Sequence, residues 1–269
     1  MAAGRDGDSR SDDNWFDLQH VSVMRGQAEV LHGISLRIAR GEHIAVLGPN
    51  GCGKSTLLKT LMCECYPLAK AETVCKIFGR ERWELTELRR HLGVLSSIQP
   101  SEHALHSVGA DVVLSGFFSS NGLWPNLHVT STMRERARLV LEQLEAAHLA
   151  AKPLGEMSAG ERRRVLMGRA LVHDPEVLLL DEPSEALDFA AQVEQRRILS
   201  GLARRGTGIF LITHHLPDIL PEIERVILMR DGRLVADGPK KDILSDKLLS
   251  DVFRVPVRVS ERNGVYQLA

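Results

Sequence analysis

Residues 48–56 read GPNGCGKST, and this stretch satisfies the pattern G-x-x-x-x-G-K-[ST] of a phosphate-binding loop. An apolar run at 44–47 precedes it, and leucines at helical spacing follow it at positions 57, 58 and 61. The sequence therefore predicts a strand, a loop and a helix in that order, which is the context that such a loop requires. The predicted phosphate-binding residues are Gly48, Pro49, Asn50, Gly51, Cys52, Gly53, Lys54, Ser55 and Thr56.

The residue types in this loop suit phosphate chemistry. Glycines allow the backbone to wrap closely around phosphate groups, and backbone amides at a helix start supply partial positive charge. We expect Lys54 to reach the β- and γ-phosphates and Ser55 to place its hydroxyl on a magnesium ion. Thr56 would cap the helix or contact the α-phosphate side. The alternative, a glycine-rich turn that binds nothing, leaves the lysine and both hydroxyls without a purpose.

A pair of carboxylates ends a later apolar run at 177–180, as Asp181 and Glu182. Adjacent residues of a strand point to different sides, so the two acids can serve different purposes. Asp181 suits a magnesium ion, either as a direct ligand or in the layer around its ligands. Glu182 suits the general base that orients and deprotonates an attacking water. An acidic turn after a buried strand is the alternative, and the phosphate-binding loop upstream favours the catalytic interpretation.

The remaining patterns predict an α/β fold with a mixed sheet. Alternating residues at 16–23 and 31–38 predict two antiparallel strands that turn at Gly26. Strands are also predicted at 73–78, 92–95, 177–180, 208–213, 226–229 and 234–236, and the strand–helix–strand order predicts parallel neighbours. Residues 98–172 predict an inserted helical lobe that contains a strong helix at 133–149. We predict a disordered tail at 1–13, a main domain at 14–250 and a hairpin extension at 251–269.

The composition is typical of a soluble globular protein and argues against several other classes. The 269 residues are 43% hydrophobic and 26% charged, which is typical of one large soluble domain or of a domain with a sub-lobe. The net charge of −1 argues against a dedicated nucleic-acid binder, and no apolar run approaches the length needed to cross a bilayer. The four cysteines have no paired CxxC spacing, which favours free thiols in a reducing cytoplasm. Cys52, at a helix start, could have a lowered pKa that makes binding sensitive to thiol modification, or it could simply fit the loop.

Three further motifs connect these patterns to a known family. The sequence MSAGE at 157–161 precedes the carboxylates, SEALD at 184–188 follows them, and Thr213-His214 ends a later apolar run. Together with the phosphate-binding loop they resemble the signature, D-loop and histidine switch of ATP-binding cassette (ABC) ATPases, which are P-loop NTPases. The resemblance covers nearly all of the chain. It implies a RecA-like mixed-sheet core with an antiparallel β subdomain and an inserted helical subdomain.

The resemblance also implies a mechanism with ATP and Mg²⁺. Two copies would form a head-to-tail homodimer, with ATP between the phosphate-binding loop of one copy and the signature of the other. Ser158 and the Gly160 amide, at a helix start, would then face the γ-phosphate across the interface. His214 would contact the γ-phosphate and the water, so that the catalytic residues would be Lys54, Glu182 and His214. Without the family context, MSAGE is a helix N-cap with an acid in the first turn.

Two positions depart from the family pattern where a ligand contact is expected. Arg25 stands where the family often places an aromatic residue against adenine, and a guanidinium can also stack on a π-face. Trp15 or Phe16 are the alternatives for this contact. Ser97 stands where the Q-loop glutamine is expected as a magnesium contact, with Gln99 two residues later.

The signature departs from the family in its charge. Glu161 replaces the usual glutamine, and we expect the following Arg162, Arg163 and Arg164 to offset it. These arginines could also touch nucleic acid, although a solvated helix face is favoured.

Two functions are consistent with these patterns. The first is the ATP-hydrolysing subunit of a transporter, peripheral on the cytoplasmic face of a membrane. It would drive a separate permease, which would dock at the apolar segment 112–124. That segment could instead belong to the hydrophobic core. Resemblance to stand-alone molybdenum-transport cassettes and iron-complex importers implies molybdate or another metal or anion complex as substrate. The second is a soluble ABC ATPase acting on nucleic acid, ribosomes or repair complexes. The near-neutral charge, the single cassette and the lack of a heptad run favour the transporter, so we expect no direct nucleic-acid partner.

Overall fold

The computed structural model describes residues 14–96, 101–262 and 264–268. The strands are β1 (Asn14–Arg25), β2 (Ala28–Ala39), β3 (Ile44–Leu47), β4 (Val74–Ile77), β5 (Leu92–Leu95), β6 (Val177–Asp181), β7 (Gly208–Thr213), β8 (Arg225–Arg230), β9 (Arg233–Pro239), β10 (Val259–Arg262) and β11 (Val265–Leu268). The helices are α1 (Lys54–Leu61), α2 (Leu85–His91), α3 (Glu102–His106), α4 (Gly109–Ser115), α5 (Ser131–Gln143), α6 (Ala159–Leu171), α7 (Phe189–Arg204), α8 (Lys240–Ile243) and α9 (Asp246–Phe253). The predicted tail at 1–13 lies outside the described residues.

A six-stranded sheet in the order β5-β6-β7-β3-β8-β9 forms the centre of the molecule. Its strands are parallel except β9, which pairs with β8 in the antiparallel direction. Strands β3 and β7 are buried throughout, because a parallel sheet covered on both faces requires continuous apolar runs. The carboxyl ends of β6, β7 and β3 therefore lie side by side, with Asp181 opposite Ile212 and Leu47 opposite Thr213. The mixed α/β fold class predicted from the sequence is confirmed.

The antiparallel strands form a second, smaller sheet in the order β2-β1-β4. Strands β1 and β2 are joined at Gly26, whose φ of 61° is the left-handed backbone that glycine favours. This confirms the predicted antiparallel pair and its turn.

The core consists of two hydrophobic clusters on opposite faces of the six-stranded sheet. Alternate residues of β3 enter different clusters: Ala45 and Leu47 pack with the helices around α4–α7, whereas Ile44 and Val46 pack towards α1 and the antiparallel sheet. This alternation follows from the two-residue period of a strand. Each fully buried Leu, Ile or Val contributes about 1.5–3 kcal/mol, so burial on both faces of the sheet that carries the site stabilises the fold.

The helix predicted over 133–149 ends earlier than expected. Helix α5 stops at Gln143, and Glu145 takes a left-handed φ of 53°. On a straight helix, positions 146 and 149 would point away from the face that carries positions 140, 141 and 144. The break allows Ala146 and Leu149 to be buried in the same cluster as Leu144. Burial outweighs local helix preference here.

The carboxyl-terminal region contains elements that the sequence patterns did not predict. Helices α8 and α9 follow β9, and the boundary predicted between residues 250 and 251 falls inside α9. Strands β10 and β11 form the predicted hairpin, with Gly264 at a φ of 78° and position 263 outside the described residues. Tyr266 of β11 packs against the main core, and Lys240 Nζ lies 5.9 Å from its ring centroid. The division into domains remains a prediction.

Candidate active site

The phosphate-binding loop connects β3 to α1 where the backbone passes close to other strands. A Cβ added at Gly48 would lie 2.1 Å from the carbonyl oxygen of Met229, and one at Gly53 would lie 2.9 Å from side-chain carbons of Leu31 and Met229. Gly53 also has a φ of 107° and is the residue that precedes α1. These glycines are therefore needed for packing against β2 and β8 as well as for any approach of phosphate groups.

Lys54 is folded into this loop. Its side chain is 7% exposed, and Nζ donates hydrogen bonds to the carbonyl oxygens of Gly48 at 2.7 Å and Pro49 at 3.2 Å. These bonds hold an ammonium group inside the curve of the loop. A polyphosphate there would meet this charge and the amides at the start of α1.

One cavity of about 240 Å³ brings the phosphate-binding loop and the two carboxylates together. It is lined by Val30, Asn50, Gly51, Gly53, Lys54, Ser55, Thr56, Asp181 and Glu182. The residues predicted from two motifs far apart in the sequence thus share one site.

The two carboxylates have different environments. Burial raises the pKa of Asp181, the negative charge of Glu182 raises it further, and the Lys54 ammonium group opposes both effects. Glu182 follows the end of β6 in a left-handed conformation with a φ of 46°, and its N–H donates to the carbonyl oxygen of Ile212 at 2.9 Å. The strand thus ends abruptly, and the Glu182 side chain faces the end of β7.

His214 lies next to Glu182. Its backbone N–H donates to Oε2 of Glu182 at 3.3 Å, and Nδ1 lies 2.8 Å from the same oxygen without the alignment of a hydrogen bond. The ring of His215 stands 3.9 Å away, centroid to centroid. The predicted general base and the predicted histidine are therefore adjacent at the carboxyl ends of neighbouring strands.

The donor set in the cavity fits a magnesium ion. Magnesium prefers oxygen ligands, and Ser55 and Asp181 present a hydroxyl and a carboxylate to the same cavity. Burial of Asp181 disfavours its charged form, and a nearby cation would offset that cost. The third predicted contact, Ser97, and its alternative, Gln99, lie outside the described residues.

The signature residues lie apart from this cavity. Ser158 and Gly160 line a separate cavity of about 270 Å³ together with Asp188 and Gln195, at the start of α6. Ser158 is the N-cap of α6, and its Oγ accepts a hydrogen bond from the Glu161 N–H at 3.2 Å. Within one chain, the structure does not bring Ser158 and Gly160 to Lys54.

Glu161 is held by other partners than the predicted arginines. Its carboxylate accepts hydrogen bonds from the Ser158 N–H at 2.8 Å and from Lys152 Nζ at 2.9 Å. The Ser158 amide, then Lys152, lower the pKa of Glu161 to about 2. The prediction that Arg162, Arg163 and Arg164 offset this charge is therefore wrong, because those side chains are engaged elsewhere.

The three arginines bind backbone carbonyl groups instead of forming a solvated face. Arg162 donates to the carbonyl oxygens of Leu154 and Met157, and Arg164 donates to that of Glu145. Arg163 donates to the Ser96 carbonyl at 2.6 Å, and its Nε and Nη2 are buried without a hydrogen-bond partner in the described part of the chain. Burial lowers the pKa of Arg163 to about 10, while the charges of Asp181, Asp218 and Glu185 raise it. Sequence analysis missed this internal cation.

Glu161 makes the start of α6 sensitive to acid. Its pKa lies below the ordinary 4.5, so it contributes stability above about pH 4.5, and this is lost as the pH falls towards about 2. We expect the wild type to lose more stability than Glu161→Gln between pH 5 and pH 3, measured as the shift in the urea midpoint. Glu156→Gln, in the preceding turn, is the control that should behave as wild type. Equal shifts in all three proteins would contradict the pKa assignment.

Cys52 is a buried thiol in this site. Its side chain is buried, and burial raises its pKa above the ordinary value, although Lys54 opposes the shift. The predicted lowering of the pKa at the helix start is therefore wrong. The alternative, a small residue that fits the loop, is favoured because an added Cβ at Gly48 would lie only 2.8 Å from Cys52 Sγ.

We expect iodoacetamide at pH 7.5 to modify Cys52 at least tenfold more slowly than Cys65, because only the thiolate reacts and Cys65 is less buried. Peptide mass spectrometry over a time course measures both rates in the same sample. Urea-unfolded protein is the control, in which the two rates should converge. Faster labelling of Cys52 than of Cys65 in the folded protein would contradict this assignment.

Three residues near the amino terminus are predicted to stack on adenine, and the structure places two of them in the core. Trp15 and Phe16 are 1% and 0% exposed and stack on each other in the core, so these alternatives are wrong. Arg25 is exposed at the end of β1, with Nη1 4.0 Å from Cys65 Sγ, and it does not line the cavity of the phosphate-binding loop. Its contact with a base remains a prediction.

The predicted docking segment 112–124 divides into two parts. Val112 and Leu114 are buried in α4, which is the core alternative. Phe117 is partly buried, and Trp124 is exposed, with its ring stacked on His103 at a centroid distance of 4.4 Å. Only the second part offers a surface.

Comparison with known proteins identifies the family. The sequence family described as ABC transporter matches residues 31–185. The uncharacterized ABC transporter ATP-binding protein YlmA of Bacillus subtilis is 32% identical over 249 residues, which are 91% of this chain and 92% of that protein. The hemin import ATP-binding protein HmuV of Bradyrhizobium diazoefficiens is 30% identical over 261 residues, 93% and 92% of the two chains. The chain therefore belongs to the ABC transporter family as an ATP-binding subunit, as the motifs predicted.

Solved structures agree on the fold. A putative metal-chelate type ABC transporter in an inward-facing conformation aligns with a TM-score of 0.77 at 22% identity, covering 95% of this chain and 97% of that chain. At this identity the likeness shows the ABC cassette fold alone. Within the described residues, every helix is too short or too polar to span a membrane.

Proposed function

We propose that this chain hydrolyses ATP and thereby drives a separate membrane permease, as the cytoplasmic subunit of an importer. The observation that carries the proposal is the single cavity in which Lys54 and Ser55 face Asp181 and Glu182. The family membership supports ATP as the nucleotide.

Each residue of the cavity suits a different role in ATP hydrolysis. Lys54 and the amides of the loop would hold the β- and γ-phosphates, and they would stabilise the negative charge that develops on transfer. Glu182 would orient a water towards the γ-phosphate and accept its proton, and His214 would hold that water and the phosphate. Bound through Ser55 and Asp181, Mg²⁺ would neutralise phosphate charge.

A head-to-tail homodimer would complete the site. In a single chain the signature residues Ser158 and Gly160 line a different cavity from that of the phosphate-binding loop. A second copy could bring its own Ser158 and the start of its α6 to the γ-phosphate, since a helix start favours an anion. Closing and opening of this dimer would transmit the cycle to the permease.

The substrate class that we propose is a metal complex such as an iron chelate. Relatives named as hemin import ATP-binding proteins in three further bacteria, Hahella chejuensis, Streptomyces coelicolor and Aliivibrio fischeri, are 30–33% identical over 88–89% of this chain. Molybdate finds no support among these names. The alternative of a soluble ATPase acting on nucleic acid is not favoured by any of the relatives described.

Co-purification tests the transport proposal. Tagged Glu182→Gln protein is purified with ATP from detergent-solubilised membranes of the host, next to the same protein without nucleotide. We expect a polytopic membrane protein in stoichiometric amount, and less of it when Trp124→Ala is added at the exposed part of the docking segment. Recovery of ribosomes, nucleic acid or only soluble proteins would overturn the transport function.

A further inference from the structure

A buried carboxylate outside all the sequence motifs lies behind the predicted catalytic pair. Asp218 belongs to the short turn at 216–218 that follows β7, and it is 4% exposed. Its Oδ2 accepts hydrogen bonds from Ser184 Oγ at 2.6 Å and from Thr213 Oγ1 at 3.0 Å. We call these three residues the Asp218 cluster.

The Asp218 cluster joins the two segments that carry Glu182 and His214. Ser184 lies two residues after Glu182, and Thr213 directly precedes His214. Thr213 Oγ1 also accepts the His215 N–H at 2.9 Å, so the backbone on both sides of His214 is fixed. One carboxylate oxygen therefore holds together the two chain segments whose side chains meet at 2.8 Å.

The hydrogen bonds of the Asp218 cluster lie just beyond the end of the backbone pairing between β6 and β7. The ladder between β6 and β7 ends at the pair Asp181 and Ile212, and the Glu182 N–H makes one further bond to the Ile212 carbonyl. Beyond that point, the side-chain hydrogen bonds of the Asp218 cluster connect the two segments. A carboxylate that accepts hydrogen bonds from hydroxyl groups forms charge-assisted bonds, which are stronger than bonds between neutral groups.

The burial of Asp218 is costly, which points to a purpose other than stability. Removing a carboxylate from water is unfavourable unless it is paired or hydrogen-bonded, and an apolar side chain would avoid that cost. The charges of Asp181 and Asp218 both act on the guanidinium group of Arg163, so the protein supplies a cation on the side of the cluster.

We propose that Asp218 is a positioning residue for ATP hydrolysis, which sets the relative placement of Glu182 and His214 through Ser184 and Thr213. This inference rests on the proposed function. A displacement of about 1 Å in a catalytic group can cost on the order of a hundredfold in rate. Asp218 does not line the cavity of the phosphate-binding loop.

Steady-state ATP hydrolysis by the full chain tests this role. We expect Asp218→Ala to lower kcat by about 10- to 100-fold while KM for ATP changes less than twofold. Asp218→Asn keeps an oxygen that can accept hydrogen bonds, so it should recover part of the loss. Ser200→Ala is the matched control, because Ser200 is 6% exposed and donates to Glu222 at 2.8 Å, away from the site.

A second measurement separates positioning from a general loss of structure. If Asp218 acts through the catalytic pair, Asp218→Asn should have little further effect in a His214→Ala background. Thermal unfolding of each variant verifies that it is folded, and Asp218→Asn replaces Asp218→Ala if the latter does not fold. If the wild type is active, an unchanged kcat in Asp218→Ala, or additive effects of Asp218→Asn and His214→Ala, would overturn this inference alone. If Asp218→Ala does not fold, an unchanged kcat in Ser184→Ala would overturn it, because that variant removes one of the two hydrogen bonds to Asp218. A wild type without ATP turnover would overturn the proposed function itself.

Discussion

Glu182→Gln should bind ATP as tightly as the wild type but release phosphate about 10²- to 10⁴-fold more slowly, because the amide cannot accept the proton of the attacking water. The substitution conserves shape, so the backbone bond of Glu182 to Ile212 is kept. Since hydrolysis would normally reopen the dimer, the variant should accumulate as a closed homodimer with ATP. Phosphate release and light scattering after size-exclusion chromatography, with and without ATP, measure both effects.

The matched control for this substitution is Glu224→Gln. Glu224 is an exposed acid directly before β8, and it does not line the cavity of the phosphate-binding loop. This variant should hydrolyse ATP like the wild type and should not accumulate as a closed dimer. Equal turnover by the wild type and Glu182→Gln would remove Glu182 from the role of general base.

Lys54→Ala should weaken ATP binding by roughly tenfold to a hundredfold. A hydrogen bond to a charged group contributes about 1.5–3 kcal/mol, and tenfold in affinity corresponds to about 1.4 kcal/mol. The loop carbonyls of Gly48 and Pro49, which now accept from Nζ, would be left facing the cavity without a cation. Titration of a fluorescent ATP analogue with Mg²⁺ measures the change.

Lys59→Ala is the control for Lys54→Ala. Lys59 lies in the last turn of the same helix and does not line the cavity of the phosphate-binding loop, so its removal should change ATP affinity less than twofold. The neighbouring cavity that Lys59 does line also includes Ser55 and Asp181. Unfolding curves for both variants separate a loss of binding from a loss of fold. If Lys54→Ala bound ATP as tightly as Lys59→Ala, the assignment of the loop as the phosphate site would be wrong.

Site residues could be predicted where they belong to a contiguous sequence motif, and could not be predicted where they depend on contacts between residues distant in sequence. The phosphate-binding loop and the carboxylates at 181 and 182 are contiguous motifs, so their residue types and spacing carry the information. The end of α5 at Gln143 was not predictable in this way, because its cause is the burial of Ala146 and Leu149 against residues distant in sequence. Trp15 and Phe16 were misassigned for the same reason, since an aromatic residue near a site and one in the core look alike in sequence.

Short contiguous motifs were sufficient to predict the family, the order of the strands along the chain and the loop between β3 and α1, because each motif lies within one segment of the chain. Which side chains meet depends on the folded arrangement. It paired Glu161 with Lys152, buried Cys52 and Arg163, and placed Asp218 between Ser184 and Thr213. Hydrogen bonds and desolvation depend on which groups are neighbours in the folded chain. The ends of parallel strands bring together residues that no sequence pattern connects.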